Sequence, residues 1–109
     1  MAGENTIVAK GASGKQYKFW VYPWGHQLKA EGGVYMALKS TGTILTPQFT
    51  VLYVGQTEDL SERFDDHHKQ PCFNRNGKTH IGATLVSGME ARLAIEADLV
   101  ASFNPACNG

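Results

Sequence analysis

The sequence predicts an α+β domain, and three observations predict it. Five short segments are rich in β-branched, aromatic or alternating apolar residues and are bounded by Gly, Pro or polar turn residues. Two further segments carry apolar residues three and four apart, the spacing of one helix face. The chain has 109 residues, 42% of them hydrophobic, enough for one core and too apolar for a disordered chain.

Residues 6–10 and 15–22 read as a hairpin around the turn signal Gly11-Ala12-Ser13-Gly14. Tyr17, Phe19 and Val21 alternate with Lys18, Trp20 and Tyr22, so both faces of the second strand carry aromatics. Trp20, Tyr22 and Trp24 fit either core packing or a base-stacking surface. Residues 32–39 form a third strand and 49–54 a fourth, its natural antiparallel partner across a polar loop at 40–48. That pairing puts Tyr35 and Tyr53 in one sheet. Gly55 then reads as a turn and 57–68 as a helix, with Thr57 as cap and Glu58 and Asp59 in its first turn. Leu60, Arg63, Phe64 and His67 would share one face of it. Residues 70–78 read as a polar connection and 79–86 as a fifth strand. Ser87 and Glu90 have capping-box spacing and open a second helix that runs to about Phe103, before Pro105.

Lys plus Arg and Asp plus Glu both number 10, a neutral balance that counts against non-specific attraction to nucleic acid while leaving room for a local basic patch. Acids gather at 58–66, and Lys69, Arg75, Lys78 and His80 follow them. No apolar run is long enough to span a membrane. No signal peptide is recognisable at the N-terminus, and Cys72 and Cys107 suit a reducing compartment better than a disulfide scaffold, so a cytoplasmic location is expected. No Cys-x-x-Cys pair supports a zinc site from Cys72, Cys107 and His67, His68 or His80.

The second helix holds one anomaly. Met89, Leu93, Glu96 and Val100 fall on one stripe, so a carboxylate stands among positions expected to face the core. A buried carboxylate needs a partner. Arg92, four residues earlier, fits as an ion pair, and a metal ion fits equally.

Taken together, these residues resemble the GIY-YIG nuclease superfamily. Gly33-Val34-Tyr35 resembles its first half-motif and Tyr53-Val54-Gly55 its second; Arg63 lies ten residues past Tyr53, and His67 one helical turn later. Glu96, Pro105 and Asn108 match its closing helix and tail, with Asn104 a second Asn nearby. Each half-motif alone is weak, and the full order is specific. The resemblance covers most of the chain and implies a small, mainly antiparallel sheet flanked by helices. Residues 1–109 then form a single domain, with core motifs over 32–109 and an added N-terminal β-hairpin within 1–31.

The resemblance implies a metal-dependent endonuclease that hydrolyses phosphodiester bonds, most naturally of DNA. Glu96 would hold a single Mg²⁺ or Mn²⁺ ion. Arg63 would offer its planar fork to phosphate oxygens. One of Tyr35 and Tyr53 would stand near the nucleophilic water and take its proton, if a cation stabilises the phenolate. His67 would position water or phosphate, or relay a proton from Tyr. Asn108 would hold the site together from the tail. Lys69, Arg75, Lys78 and His80 make the candidate phosphate-tracking patch, against the plainer reading of a solvated loop. With no attached DNA-binding module, low sequence specificity, a partner protein or a homodimer is expected. The alternative is a binding module for nucleic acid or protein that keeps the fold without catalysis.

Overall fold

The computed structural model of the chain describes residues 5–42, 48–62 and 67–108. In chain order the elements are β1 (Asn5–Lys10), β2 (Gln16–Pro23), β3 (Gly33–Ser40), β4 (Phe49–Thr57), α1 (Gln70–Arg75), β5 (His80–Leu85) and α2 (Met89–Phe103). The strands make one sheet in the order β1-β2-β5-β3-β4, with every pairing antiparallel. The expected α+β class and all five strands are therefore present. No helix among the described residues is long and apolar enough to cross a membrane.

Strand alternation explains how the sheet is covered. Side chains two apart on a strand share a face. On one face Phe19, Val34, Met36, Leu38 and Val54 pack against Leu99 of α2. On the other, Tyr35, Ile81 and Ala83 meet Leu28 and Leu60, while Ala37 and Leu52 meet Phe73 of α1 and Cys107 of the tail. Strand β3 is buried from Gly33 to Leu38, as a strand with neighbours on both edges and cover on both faces must be.

The N-terminal hairpin extends this sheet. β2 pairs with β5 from Trp20↔Ala83 to Pro23↔His80. Its turn is fastened to α2 by Asp98, which accepts bonds from Ser13 N–H (2.8 Å), Ser13 Oγ (2.7 Å) and Tyr17 Oη (2.7 Å). These bonds hold the Asp98 carboxyl below its ordinary value, Ser13 contributing most.

Several expectations are corrected. Gly55 is not a turn: β4 continues to Thr57, pairing Gly55 with Tyr35 and Thr57 with Gly33. The described part of 57–68 is turn rather than helix. Thr57 Oγ1 accepts the Asp59 N–H (3.1 Å), and Asp59 Oδ1 accepts both the N–H and the hydroxyl of Ser61 (2.9 and 2.6 Å). Such short polar side chains bond the local backbone in competition with a helix. Leu60 is nevertheless buried, as expected of an anchor. Arg63 and Phe64 lie outside the described residues, as do 43–47 of the expected loop.

The short helix forms instead at α1, within the stretch read as a connection. Pro71 sits in its first turn, where a missing N–H costs nothing, and Phe73 is buried beneath it. Helix α2 has the expected extent, but Gly88 is its N-cap and no Ser87–Glu90 capping box supports it. Its buried residues are Arg92 and Leu99, whereas Met89 and Leu93 are 60% and 43% exposed. The first half of the stripe taken as core-facing is thus turned outward, while Glu96 and Val100 are half-buried and Val100 packs against the core. The helix ends at Asn104 in the left-handed conformation, φ 45°, whose N–H returns to the Val100 carbonyl (2.8 Å).

The cysteines are also corrected. Cys72 and Cys107 form a disulfide that ties the tail to α1. A bond of this kind persists in oxidising surroundings, so the cysteines no longer argue for a reducing compartment.

Candidate functional site

The two tyrosines meet at the β3–β4 pairing. Tyr35 lies opposite Gly55, and Tyr53 lies opposite Ala37, two residues away on the same face. Their ring centroids are 6.0 Å apart. Gly55 makes the arrangement possible: a Cβ there would stand 2.6 Å from both Cζ and Oη of Tyr35 and 2.8 Å from Cε2 of Tyr53. The glycine of the second half-motif thus gives up its side chain to a tyrosine ring.

His67 completes the cluster. Its ring stands edge-on to Tyr35 and Tyr53, with Phe73 of α1 at 5.2 Å behind it. Nδ1 accepts the Lys69 backbone N–H (3.0 Å), and Nε2 lies 2.8 Å from Tyr35 Oη. A nitrogen that accepts an amide N–H carries no proton, so the neutral ring is protonated on Nε2 and donates to Tyr35. Burial, then His68 and Lys69, hold the His67 pKa below its ordinary value and keep the ring neutral at pH 7. In this tautomer His67 does not accept the Tyr35 proton, which bears on the relay expected from the resemblance.

Burial raises both phenols above their ordinary value, Tyr35 by more because it is almost wholly enclosed. A hydrogen bond between them raises Tyr35 and lowers Tyr53, so of the two phenols Tyr53 is the one favoured as the anion. The polar chain therefore runs from the Lys69 N–H through His67 and Tyr35 to Tyr53, the more exposed of the two phenols.

Glu96 is half-buried on α2, and burial raises its pKa. Its charge raises both phenols further, so it lies within electrostatic reach of them. Arg92 is not its partner in an ion pair. The guanidinium goes to Gln56 Oε1 (3.0 Å) and the Val86 carbonyl (3.1 Å) instead. Among the described residues no three His, Cys, Asp or Glu side chains gather around a common point. A lone hard-oxygen donor with water completing the shell suits Mg²⁺ or Mn²⁺.

Asn108 reaches β4 from the tail. Its Oδ1 accepts the Val54 N–H (2.8 Å) and its Nδ2 donates to the Val54 carbonyl (2.9 Å). All four members of the expected basic patch are among the described residues. Lys69 gives its backbone N–H to His67, and Arg75 is exposed in the last turn of α1. Lys78 donates to Asn74 and lies 5.1 Å over Trp24, and His80 Nδ1 lies 2.7 Å from Thr79 Oγ1. Arg63 is outside the described residues. Three contributors escaped the sequence reading: Gly55 as a space-giver, Phe73 behind His67, and the disulfide that anchors the tail. Only Phe73 left a signal, a lone large apolar residue in a polar stretch.

No protein family model matches the chain, and no curated protein or solved structure is significantly similar to it.

Proposed function

We propose that the chain is a metal-dependent endonuclease that hydrolyses phosphodiester bonds of nucleic acid, DNA in the first instance, with low intrinsic sequence specificity. The observation that carries this reading is the hydrogen-bonded chain His67–Tyr35–Tyr53 over Gly55, within electrostatic reach of a half-buried carboxylate that is not ion-paired with Arg92. A hydrogen-bond chain ending on a half-exposed phenol is suited to taking a proton from a nucleophile at neutral pH once that phenol is stabilised as an anion.

In this reading Glu96 holds the divalent ion, which when bound neutralises phosphate charge and acidifies water. Tyr53 accepts the proton of the attacking water, because it is the less buried and its hydrogen bond with Tyr35 favours its anion. Tyr35 transmits the support of His67, whose Nε2–H stabilises negative charge along the pair. Arg63 is assigned the phosphate by resemblance alone. Asn108 holds β4, and with it Tyr53, in place. A cytoplasmic location remains part of the proposal only if the thiols prove reduced in the cell.

The test is nicking of supercoiled plasmid by wild type and by Glu96→Ala, in Mg²⁺, in Mn²⁺ and in chelator. Metal-dependent nicking that disappears in the variant is the expected result. Normal cutting by the variant refutes the assignment of Glu96. DNA binding that persists with no nicking in any metal replaces the enzyme with a binding module.

A further inference from the structure

Beside the tyrosine pair, the same sheet face holds a cleft that the proposed reaction does not use. It is open to solvent, measures about 670 Å³, and is lined by Trp20 and Tyr22 of β2, Ala83 and Leu85 of β5, and His26 and Lys29 from the β2–β3 connection. That volume is in the range of sites for small planar ligands. The cleft exists because α1 and the tail cover this face only at its β3–β4 side, and α2 lies on the opposite face. Among the described residues no helix lies over the β1–β2–β5 part. Val8 and Leu85, on the same face as Trp20, are 62% and 49% exposed.

The lining has the chemistry of a stacking platform. The rings of Tyr22 and His26 stack face to face, their centroids 4.2 Å apart and their planes within 3° of parallel. Trp20 is half-exposed, with the Lys18 ammonium 5.2 Å from its ring centroid. No lining residue is acidic, while Lys29 and the adjoining Lys18 are cationic. Aromatic faces beside lysines bind bases by stacking and phosphates by charge. Position points the same way. Trp20, Ala83, Tyr35 and Gly55 are successive cross-strand neighbours. Trp20 is thus about 10 Å, two strand spacings, from Tyr35 on one face. Between them in that row stands only the methyl group of Ala83.

We propose that this cleft receives an unpaired base of the nucleic-acid strand bound at the Tyr35–Tyr53 site. The inference rests on the nucleic-acid reading above and adds to it a preference for single-stranded or locally unpaired substrate next to the cut. It also gives the N-terminal hairpin a role, since β2 supplies both the tryptophan and the tyrosine.

The test uses the full chain in EDTA, so that binding is measured without cleavage. A fluorescently labelled oligothymidylate and the same backbone made wholly of abasic residues are titrated and followed by anisotropy. Wild type is expected to bind the oligothymidylate about tenfold or more tightly than the abasic strand. Trp20→Ala is expected to lose about that factor on the oligothymidylate, and Trp20→Phe to stay within about threefold of wild type. Equal binding of the two strands by wild type overturns the proposal without relying on any variant. So does a Trp20→Ala protein that is folded by circular dichroism and binds undiminished. Thymidine monophosphate that competes as well as the oligonucleotide assigns the cleft to a free nucleotide and overturns it too. The nicking assay is independent of these readouts. Base-dependent binding without nicking keeps the cleft and removes the nuclease, and nicking without base dependence does the reverse.

Discussion

Gly55→Ala should damage this protein in a way that its backbone does not foretell. The backbone of Gly55 is extended and pairs with Tyr35 in β3; among the residues with positive φ it does not appear. At such a position Gly→Ala ordinarily stabilises by about 0.4–1 kcal/mol through the unfolded chain. Here the new methyl group would stand 2.6 Å from Tyr35 Cζ and Oη and 2.8 Å from Tyr53 Cε2. Tyr35 cannot swing aside freely, because it is 6% exposed and bonded to His67 at 2.8 Å. Overpacking of this kind costs about 1–3 kcal/mol, so that after the unfolded-state gain the net loss reaches about 2.5 kcal/mol and the melting temperature falls by up to about 11 °C. Displacing the phenols by about 1 Å should also cost on the order of 10²-fold in nicking rate. Gly88→Ala is the control, since a Cβ there meets nothing nearer than 4.0 Å. It should change stability by no more than about 1 kcal/mol and leave nicking intact. Thermal melts and plasmid nicking of both variants decide the matter. A Gly55→Ala protein as stable and as active as wild type would refute the claim that Gly55 makes room for the pair.

Three further outcomes are expected. Glu96→Gln should abolish nicking without lowering the melting temperature. Burial raises Glu96, so in wild type this group's contribution to stability falls as pH rises from the ordinary carboxylate value through the raised one, and the amide removes that fall; melts of both proteins from about pH 4 to 8 check it. Cys107→Ser opens a loop closed across 35 residues and should cost about 3–4 kcal/mol, a loss that reductant reproduces in wild type and leaves unchanged in the variant. Asp98→Ala should detach the hairpin turn from α2 and lower the melting temperature; because Asp98 is held below its ordinary value, its contribution is present above that value and lost as pH falls through the lowered one.

The strands were legible because alternation is a local signal. Phe19 and Val21 face one side, Trp20 and Tyr22 the other, and Pro23 ends the run. The stretch between β4 and β5 was misread because two local signals competed. Leu60, Arg63, Phe64 and His67 have helical spacing, but Thr57, Asp59 and Ser61 spend their side chains on neighbouring backbone groups. Pro71 then reads as a breaker, though in a first turn it is a start. Helix α2 was found but wrongly phased. With Ala91, Ala94, Ala97 and Ala101 spread around it, the larger apolar residues do not mark one face, and the inward position belongs to the aliphatic stem and guanidinium of Arg92. The tyrosine pairing followed from strand register, which the sequence implies. The Cys72–Cys107 contact did not, because it depends on where the tail docks.

That docking is what fixes the register of the site. β4 is an edge strand, and a slip of one residue would turn Tyr53 to the opposite face, away from Tyr35. On its open edge the Leu52 carbonyl accepts the Cys107 N–H at 2.8 Å, and Val54 exchanges both backbone groups with the Asn108 amide. The tail thus acts as a short sixth partner for the strand that carries Tyr53. Asn108→Ala removes both bonds to Val54 and should cost about 1–3 kcal/mol, while Asn108→Asp keeps an acceptor for the Val54 N–H but loses the donor to its carbonyl. Amide exchange at Val54 separates a register clamp from a merely buried tail. Protection at Val54 should fall most in the alanine variant, less in the aspartate variant, and little at Val21 of β2. Equal loss at Val54 and Val21 would mean that Asn108 supports the domain as a whole and does not hold β4 in place.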